Sequence, residues 1–403
     1  MGVFKLNCLV RNSILKGEIS AIPSKSFAHR IAICNFLAGN KPDGGCVGFS
    51  SKDIEATEKC LADIISGKRV LDCGESGSTL RFLLPLCGAL GGDYEFIGHG
   101  KLMERPNEEL FFVMNEHGVK TEKKSTIKIS GKLEGGKYKI RGDISSQYIS
   151  GLLLALPTLS NDSDIELTTP LSSAPYVQIT LKVLKSFGIV VEQIKNGYKI
   201  KGGQKYLGNL SPEGDWSNSA FFLVAGAVNG DITVTGLSAD SVQGDKVIVD
   251  ILKKASADVT VKSDYINVRK SQLKSFIFDA KDCPDLVPIT AVLGAFAKGT
   301  TIIQNIERLK IKESDRIQST INMLSAFNIK AESDGKTLTV YGGEIKRGKV
   351  SSFNDHRIAM ASAVLSSVAE GESIIYGAEA VSKSYPTFFS DLKKLGGKVN
   401  ELL

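Results

Sequence analysis

The sequence predicts an α/β protein (α+β in the order of its elements) of two similar lobes, each built from three copies of one unit. Three observations predict this. The chain is 403 residues long, enough for two cores of roughly 200 residues each. Six segments share one pattern, a short polar or glycine-rich approach followed by an apolar helix rich in alanine or leucine. With Ser26, Ser78, Ser146, Ser217, Asp285 and Asp355 as markers, they recur at intervals of 52, 68, 71, 68 and 70 residues. A period near 70 residues is too long for a solenoid and fits a unit of two helices and several strands, used six times.

In chain order the segments begin at Ser24, Gly74, Gly142, Gly214, Asp282 and Phe353. Their helices are apolar nearly all round, so they are expected inside the lobes. Each opens on Ser, Asp, Asn or Gly, residues that cap free amides. Helix N-termini carry partial positive charge, and several aimed at one cleft trap an anion. Between them, Lys137–Ile140, Asp164–Leu167, Asp231–Thr235 and Thr300–Ile303 read as strands, and Ser125–Ser130 as the wet face of a hairpin. A second helix per unit is expected at Val177–Gly188, Lys246–Ala255 and Ile317–Phe327. The N-terminus alternates like a strand. If it pairs with the C-terminal lobe, the lobes are 21–212 and 1–20 plus 213–403. A two-stranded hinge then lies near 20–23 and 211–214, suited to a cleft that closes.

Composition excludes several classes. Charged residues make up 23% and the net charge is +6 without a basic block, which favours an enzyme of anionic substrates over a nucleic-acid binder. The basic residues are not interleaved with aromatic platforms. Seven cysteines (Cys8, Cys34, Cys46, Cys60, Cys73, Cys87, Cys283) and four histidines form no metal-ligand spacing or disulfide framework. No signal peptide, myristoylation site (Leu6 stands where Ser or Thr is needed) or membrane-length apolar run is found. A cytoplasmic, monomeric protein is expected.

The chemistry-bearing residues gather at the heads of the repeats. Lys25, Ser26 and Arg30 open the first helix, where a Lys with an Arg one turn on can hold a phosphate; a capped helix with a solvated basic face explains them equally. Gly74–Arg81 is a glycine turn into a helix without the Lys of a Walker A loop. Ser145, Ser146 and Gln147 offer two hydroxyls and an amide, or simply caps. Asp285 heads the fifth helix, where N-capping alone would account for it. Lys312, Glu313 and Arg316 fall at i, i+1 and i+4, so Lys312 and Arg316 can share a helix face.

Together with Asn354–Met360 and Lys383-Ser384-Tyr385-Pro386, these segments resemble the motif set of the EPSP synthase (5-enolpyruvylshikimate-3-phosphate synthase) family, in order and along nearly the whole chain. The resemblance implies a two-lobed inside-out α/β barrel, each lobe three βαβαββ repeats around buried parallel helices. It implies transfer of the enolpyruvyl group of phosphoenolpyruvate to shikimate 3-phosphate, with no metal or organic cofactor. Shikimate 3-phosphate would be held by Lys25, Ser26, Arg30, Ser145, Ser146, Gln147, Ser173, Asp285 and Lys312. Phosphoenolpyruvate would be held by Lys25, Gly77, Arg105, Gln147, Arg316, Arg357 and Lys383, with Asp285, Glu313 and Lys25 catalytic. His356 is read as structural. Retention of Gly77 implies sensitivity to the family inhibitor glyphosate. Two positions depart from the pattern: Glu75 stands where an asparagine is common, and Arg308 stands where some members have an asparagine ligand, a role not carried over to it. The nearest rival is the sister transferase acting on UDP-N-acetylglucosamine, many of which carry a Cys before Arg-Pro; here Lys101–Glu104 contains none. A non-catalytic phosphometabolite-binding protein is the other.

Overall fold

The computed structural model describes residues 6–40 and 50–402. By its internal contacts the chain divides into two compact units, Met1–Ile22 with Glu213–Leu403, and Pro23–Pro212. Cys46 lies outside the described residues, as does the start of the N-terminal strand pattern.

Among the described residues, twenty strands form five four-stranded sheets of one plan. In the third repeat Lys137–Ile140 lies parallel to Ser163–Leu167, which pairs antiparallel with Gly197–Ile200, itself antiparallel to Val191–Ile194. The helices Ser146–Ala155 and Ala174–Ser186 intervene, so the unit runs strand–helix–strand–helix–strand–strand. The same order holds from Val70 and from Ile277. The N-terminal pattern is two strands rather than one. Asn7–Arg11 pairs antiparallel with Glu372–Tyr376 and Lys398–Leu402, while Leu15–Ser20 pairs parallel with Gly230–Thr235. Both therefore complete sheets of the C-terminal unit.

We number the six core helices α1 (Lys25–Leu37), α2 (Gly77–Leu90), α3 (Ser146–Ala155), α4 (Trp216–Asn229), α5 (Val287–Ala295) and α6 (His356–Val368). Every residue of α5 is buried, and all but one of α4 and of α6. α4, α5 and α6 pack on one another, and α3 packs against both α1 and α2. Such helices cannot present a polar stripe, so their polar residues collect at the ends. Side-chain caps form on Ser76, Ser145, Asp215 and Asp355; Ser24 makes no side-chain cap. The second helices of the units begin earlier or later than periodicity suggested, at Ala174, Ile248 and Arg316. Three more, Lys52–Ile65, Glu108–Glu116 and Phe388–Lys394, were not recognised from sequence. In the hairpin, Ile127 and Ile129 are buried and Lys128 is exposed. No helix of the described residues is long and apolar enough to cross a membrane.

Candidate active site

The N-terminal unit places its polar groups at the heads of α1, α2 and α3. Lys25 Nζ pairs with Asp53 Oδ2 at 2.7 Å. Arg30 is 2% exposed. Its Nε donates to Thr180 Oγ1 at 2.6 Å, Nη1 to the Ser26 carbonyl at 2.6 Å, and Nη2 to the Tyr176 carbonyl at 2.9 Å. The guanidinium also lies 4.9 Å from the Phe82 ring centre. Burial pulls it down to about 9, still charged at neutral pH. Arg30 thus braces α1 against the helix Ala174–Ser186. His29, beneath it, is held well below its usual range by burial and by the charges of Lys25 and Arg30, and is neutral.

At the α2 head, Gly77 faces Arg105 so closely that a Cβ built there would lie 2.6 Å from Arg105 Nη1. Gln147 bridges two heads: its Oε1 accepts from Arg81 Nη1 at 2.7 Å and its Nε2 donates to Ser78 Oγ at 2.9 Å. Arg81 continues to Asn107 Oδ1 and the Pro106 carbonyl, which Tyr148 also reaches through its hydroxyl. The Arg105-Pro106 loop is therefore held from below by α2 and α3. Ser145 is the α3 cap, accepting from Gln147 N, and Ser146 is the first residue of that helix. Ser173 is buried and takes a left-handed φ of 56° before its helix. The Glu75 carboxylate lies over Gly100, whose φ is 55° and whose built Cβ would sit 2.6 Å from Glu75 Oε2.

The C-terminal unit builds a tighter cluster. Asp285 does not cap α5; it lies in the turn Pro284–Leu286 and Leu286 occupies the cap position. Its carboxylate instead receives Arg316 Nη1 at 2.8 Å, Arg357 Nη2 at 2.9 Å and Lys312 Nζ at 3.4 Å. Burial works to raise this carboxyl, and the charges of Arg357, Lys312 and Arg316 outweigh it, holding Asp285 well below the usual range. Burial lowers Lys312 to about 8 against the pull of Asp285. Lys312 and Arg316 do not share a helix face, since Lys312 ends the turn Glu307–Ile311 and Arg316 begins the next helix. Both nonetheless reach the Asp285 carboxylate.

Arg316 is 1% exposed and is held on its other side by Asp355, 0% exposed, through Nε–Oδ2 at 2.8 Å. Glu313 Oε2 lies 2.5 Å from Arg316 Nη2. Asp355 also caps α6 by accepting from Arg357 N at 2.9 Å. Lys383 Nζ donates to the Asn354 carbonyl at 2.7 Å, next to that cap. His356 is buried at the first position of α6. Arg308 stands on the turn before Lys312, and its charge adds to the pressure on that lysine.

The family model described as EPSP synthase (3-phosphoshikimate 1-carboxyvinyltransferase) matches residues 44–392. The chain is 42% identical over 412 residues to the 3-phosphoshikimate 1-carboxyvinyltransferase of Clostridium kluyveri, covering 96% of each chain. The chain belongs to the EPSP synthase family. The solved EPSP synthase of Acinetobacter baumannii is similar in fold, with TM-score 0.80 and 23% identity over 99% of this chain and 100% of that one. The enolpyruvyl transferase NikO of Streptomyces tendae follows with TM-score 0.76, 17% identity and 99% coverage of both. At these identities the likeness is one of fold alone.

In this member of the EPSP synthase family, the sequence does not reveal the part that three groups play in organising the site. Arg81 carried a signal, since a cation inside an apolar helix must find partners. Asp355 reads as a repeat marker and cap, and its sequence position carries no sign that it is the second partner of Arg316. Asp53 had no signal, because an acid in the first turn of a helix is ordinary.

Proposed function

We propose that the protein transfers the enolpyruvyl group of phosphoenolpyruvate to the 5-hydroxyl of shikimate 3-phosphate, giving 5-enolpyruvylshikimate 3-phosphate and phosphate. The observation that carries this reading is the convergence of Arg316, Arg357 and Lys312 on the single carboxylate of Asp285, in a chain of this family. Cations fixed around a carboxylate both bind anions and set that group's protonation, which addition–elimination requires. Seven cations, Lys25, Arg30, Arg105, Lys312, Arg316, Arg357 and Lys383, are assigned to two phosphates and one carboxylate.

In this reading an acid protonates the methylene carbon of phosphoenolpyruvate. The acceptor hydroxyl adds to C2 as a base takes its proton. The adduct then loses phosphate and a methyl proton, restoring the double bond. Asp285 and Glu313 are assigned as the acid–base pair with Lys25 or Lys383 as partner. Ser26, Ser145, Ser146, Gln147 and Ser173 are assigned to shikimate 3-phosphate. The chemistry calls for no metal or organic cofactor. The proposal also places the enzyme in the cytoplasm, in keeping with the six described cysteines, all free and buried, and takes it as a monomer.

The test is phosphate release from phosphoenolpyruvate with shikimate 3-phosphate, and in parallel with UDP-N-acetylglucosamine, without added metal. Release with shikimate 3-phosphate alone is expected. Release only with the nucleotide sugar would transfer the reading to the sister enzyme, and silence with both would favour a binding protein.

Gly77→Ala tests the assignment of Arg105. The added methyl displaces the guanidinium, the flexible end of a side chain, so folding is retained. KM for phosphoenolpyruvate should rise about tenfold, the value of one weakened charge-assisted hydrogen bond. An unchanged KM would remove Arg105 from the assignment.

A further inference from the structure

One carboxylate near the Asp285 cluster has no part in the chemistry above. Asp245 sits on the single turn Gly244–Val247 at 4% exposure, and its Oδ1 has no hydrogen-bond partner. The Ser217 hydroxyl, on the first turn of α4, is its polar neighbour, yet Ser217 Oγ also lacks a partner of full hydrogen-bond geometry. The turn itself is pinned. Gln243 Nε2 donates to Glu213 Oε1 at 3.0 Å and to the Gly214 carbonyl at 2.8 Å, while its Oε1 accepts from Trp216 N at 3.2 Å. Cys283 Sγ donates to the Gly244 carbonyl at 3.2 Å, tying this turn to the segment that carries Asp285.

The charged groups that bear on Asp245 come from three elements: Asp285 from the turn before α5, Arg357 from the head of α6, and Asp215 from the cap of α4. Lys246, its neighbour in sequence, points elsewhere, its Nζ on the Ala239 carbonyl at 2.9 Å. A buried carboxylate with a bare oxygen and two like charges nearby is strongly disfavoured as an anion. Burial first, then Asp285, push Asp245 up to about 7 against the opposing pull of Arg357 and Ser217.

We propose that Asp245 is a positioning residue that keeps a proton beside Asp285, so that Arg357 serves Asp285 and an anionic substrate rather than a second carboxylate. The proposal rests on the function proposed above. Loss of the proton puts a new negative charge on Asp245, within electrostatic reach of Asp285 and Arg357. That charge competes for Arg357 and repels phosphoenolpyruvate.

The stability consequence has a definite sign. The folded-state value lies above the unfolded value of about 3.9, so the folded chain holds the extra proton between them. Stability falls as pH rises through that window, and the loss is complete above about 7. Asp245→Asn mimics the protonated group and escapes the loss.

The experiment has two arms. In the first, KM for phosphoenolpyruvate is measured from pH 6 to 8.5 in wild type and Asp245→Asn, and the ratio is taken, which cancels the titrations of the substrate and of Lys312. The ratio should be near one at pH 6 and reach about tenfold at pH 8.5, with kcat less affected. Ser217→Ala, which removes a group that lowers Asp245, should move the rise to higher pH. A ratio flat across the range overturns the proposal. In the second, unfolding midpoints of both proteins are followed from pH 5 to 8 without substrate, and wild type should lose ground to the variant as pH rises. A constant difference overturns the buried proton. This arm is independent of turnover, so an enzyme silent with shikimate 3-phosphate would sink the functional reading while the unfolding arm still decides Asp245.

Discussion

Asp285→Asn is expected to lower kcat about 10³-fold, within the range supplied by a positioned acid or base, while KM for both substrates stays level or falls. The variant keeps the shape of the carboxylate. It removes one negative charge from among Arg316, Arg357 and Lys312, so the site becomes more cationic and anions bind no worse. Folding should survive, because Arg316 keeps Asp355 and Glu313. Steady-state kinetics with both substrates, alongside thermal unfolding, make the check. A raised KM with kcat preserved would mean that Asp285 serves only as a counterion that orders the cations.

The largest stability effect is expected at Asp355. Asp355→Ala should cost about 3–5 kcal/mol, the penalty for removing one partner of a buried ion pair. Both members are nearly sealed, Asp355 at 0% and Arg316 at 1% exposure. The same carboxylate also caps α6 and accepts from Ser314 Oγ at 3.2 Å, so one substitution removes three interactions. The unfolding midpoint should fall by roughly 10 °C. Asp355→Asn, which keeps a capping oxygen, should lose less. A loss below about 1 kcal/mol for Asp355→Ala would show that Glu313 and Asp285 suffice to hold Arg316.

Sequence and structure agree best where the signal is periodic. The six helices are legible because a helix buried on all sides must be apolar on all sides, and the polar residues that remain are driven to its ends. Asp285 shows where this reasoning stops. At a helix head an aspartate reads as a cap, and nothing local reveals that Leu286 takes the cap position while the carboxylate turns to three cations. Arg30 is another case. Its place one turn after Lys25 reads equally as part of a phosphate site or as a solvated basic face, and nothing local reveals that its donors reach the Thr180 hydroxyl and the Ser26 and Tyr176 carbonyls inside the unit.

By itself the sequence determined the repeat, the buried helices and the residue types gathered at their heads, because burial and chain period act locally along the chain. Only the tertiary structure decided which carboxylate meets which cation. Asp245, Asp285 and Arg316 come from three separate elements and Asp355 and Arg357 from the head of a fourth, and the charge each one carries depends on distances and desolvation that exist only once those elements have packed.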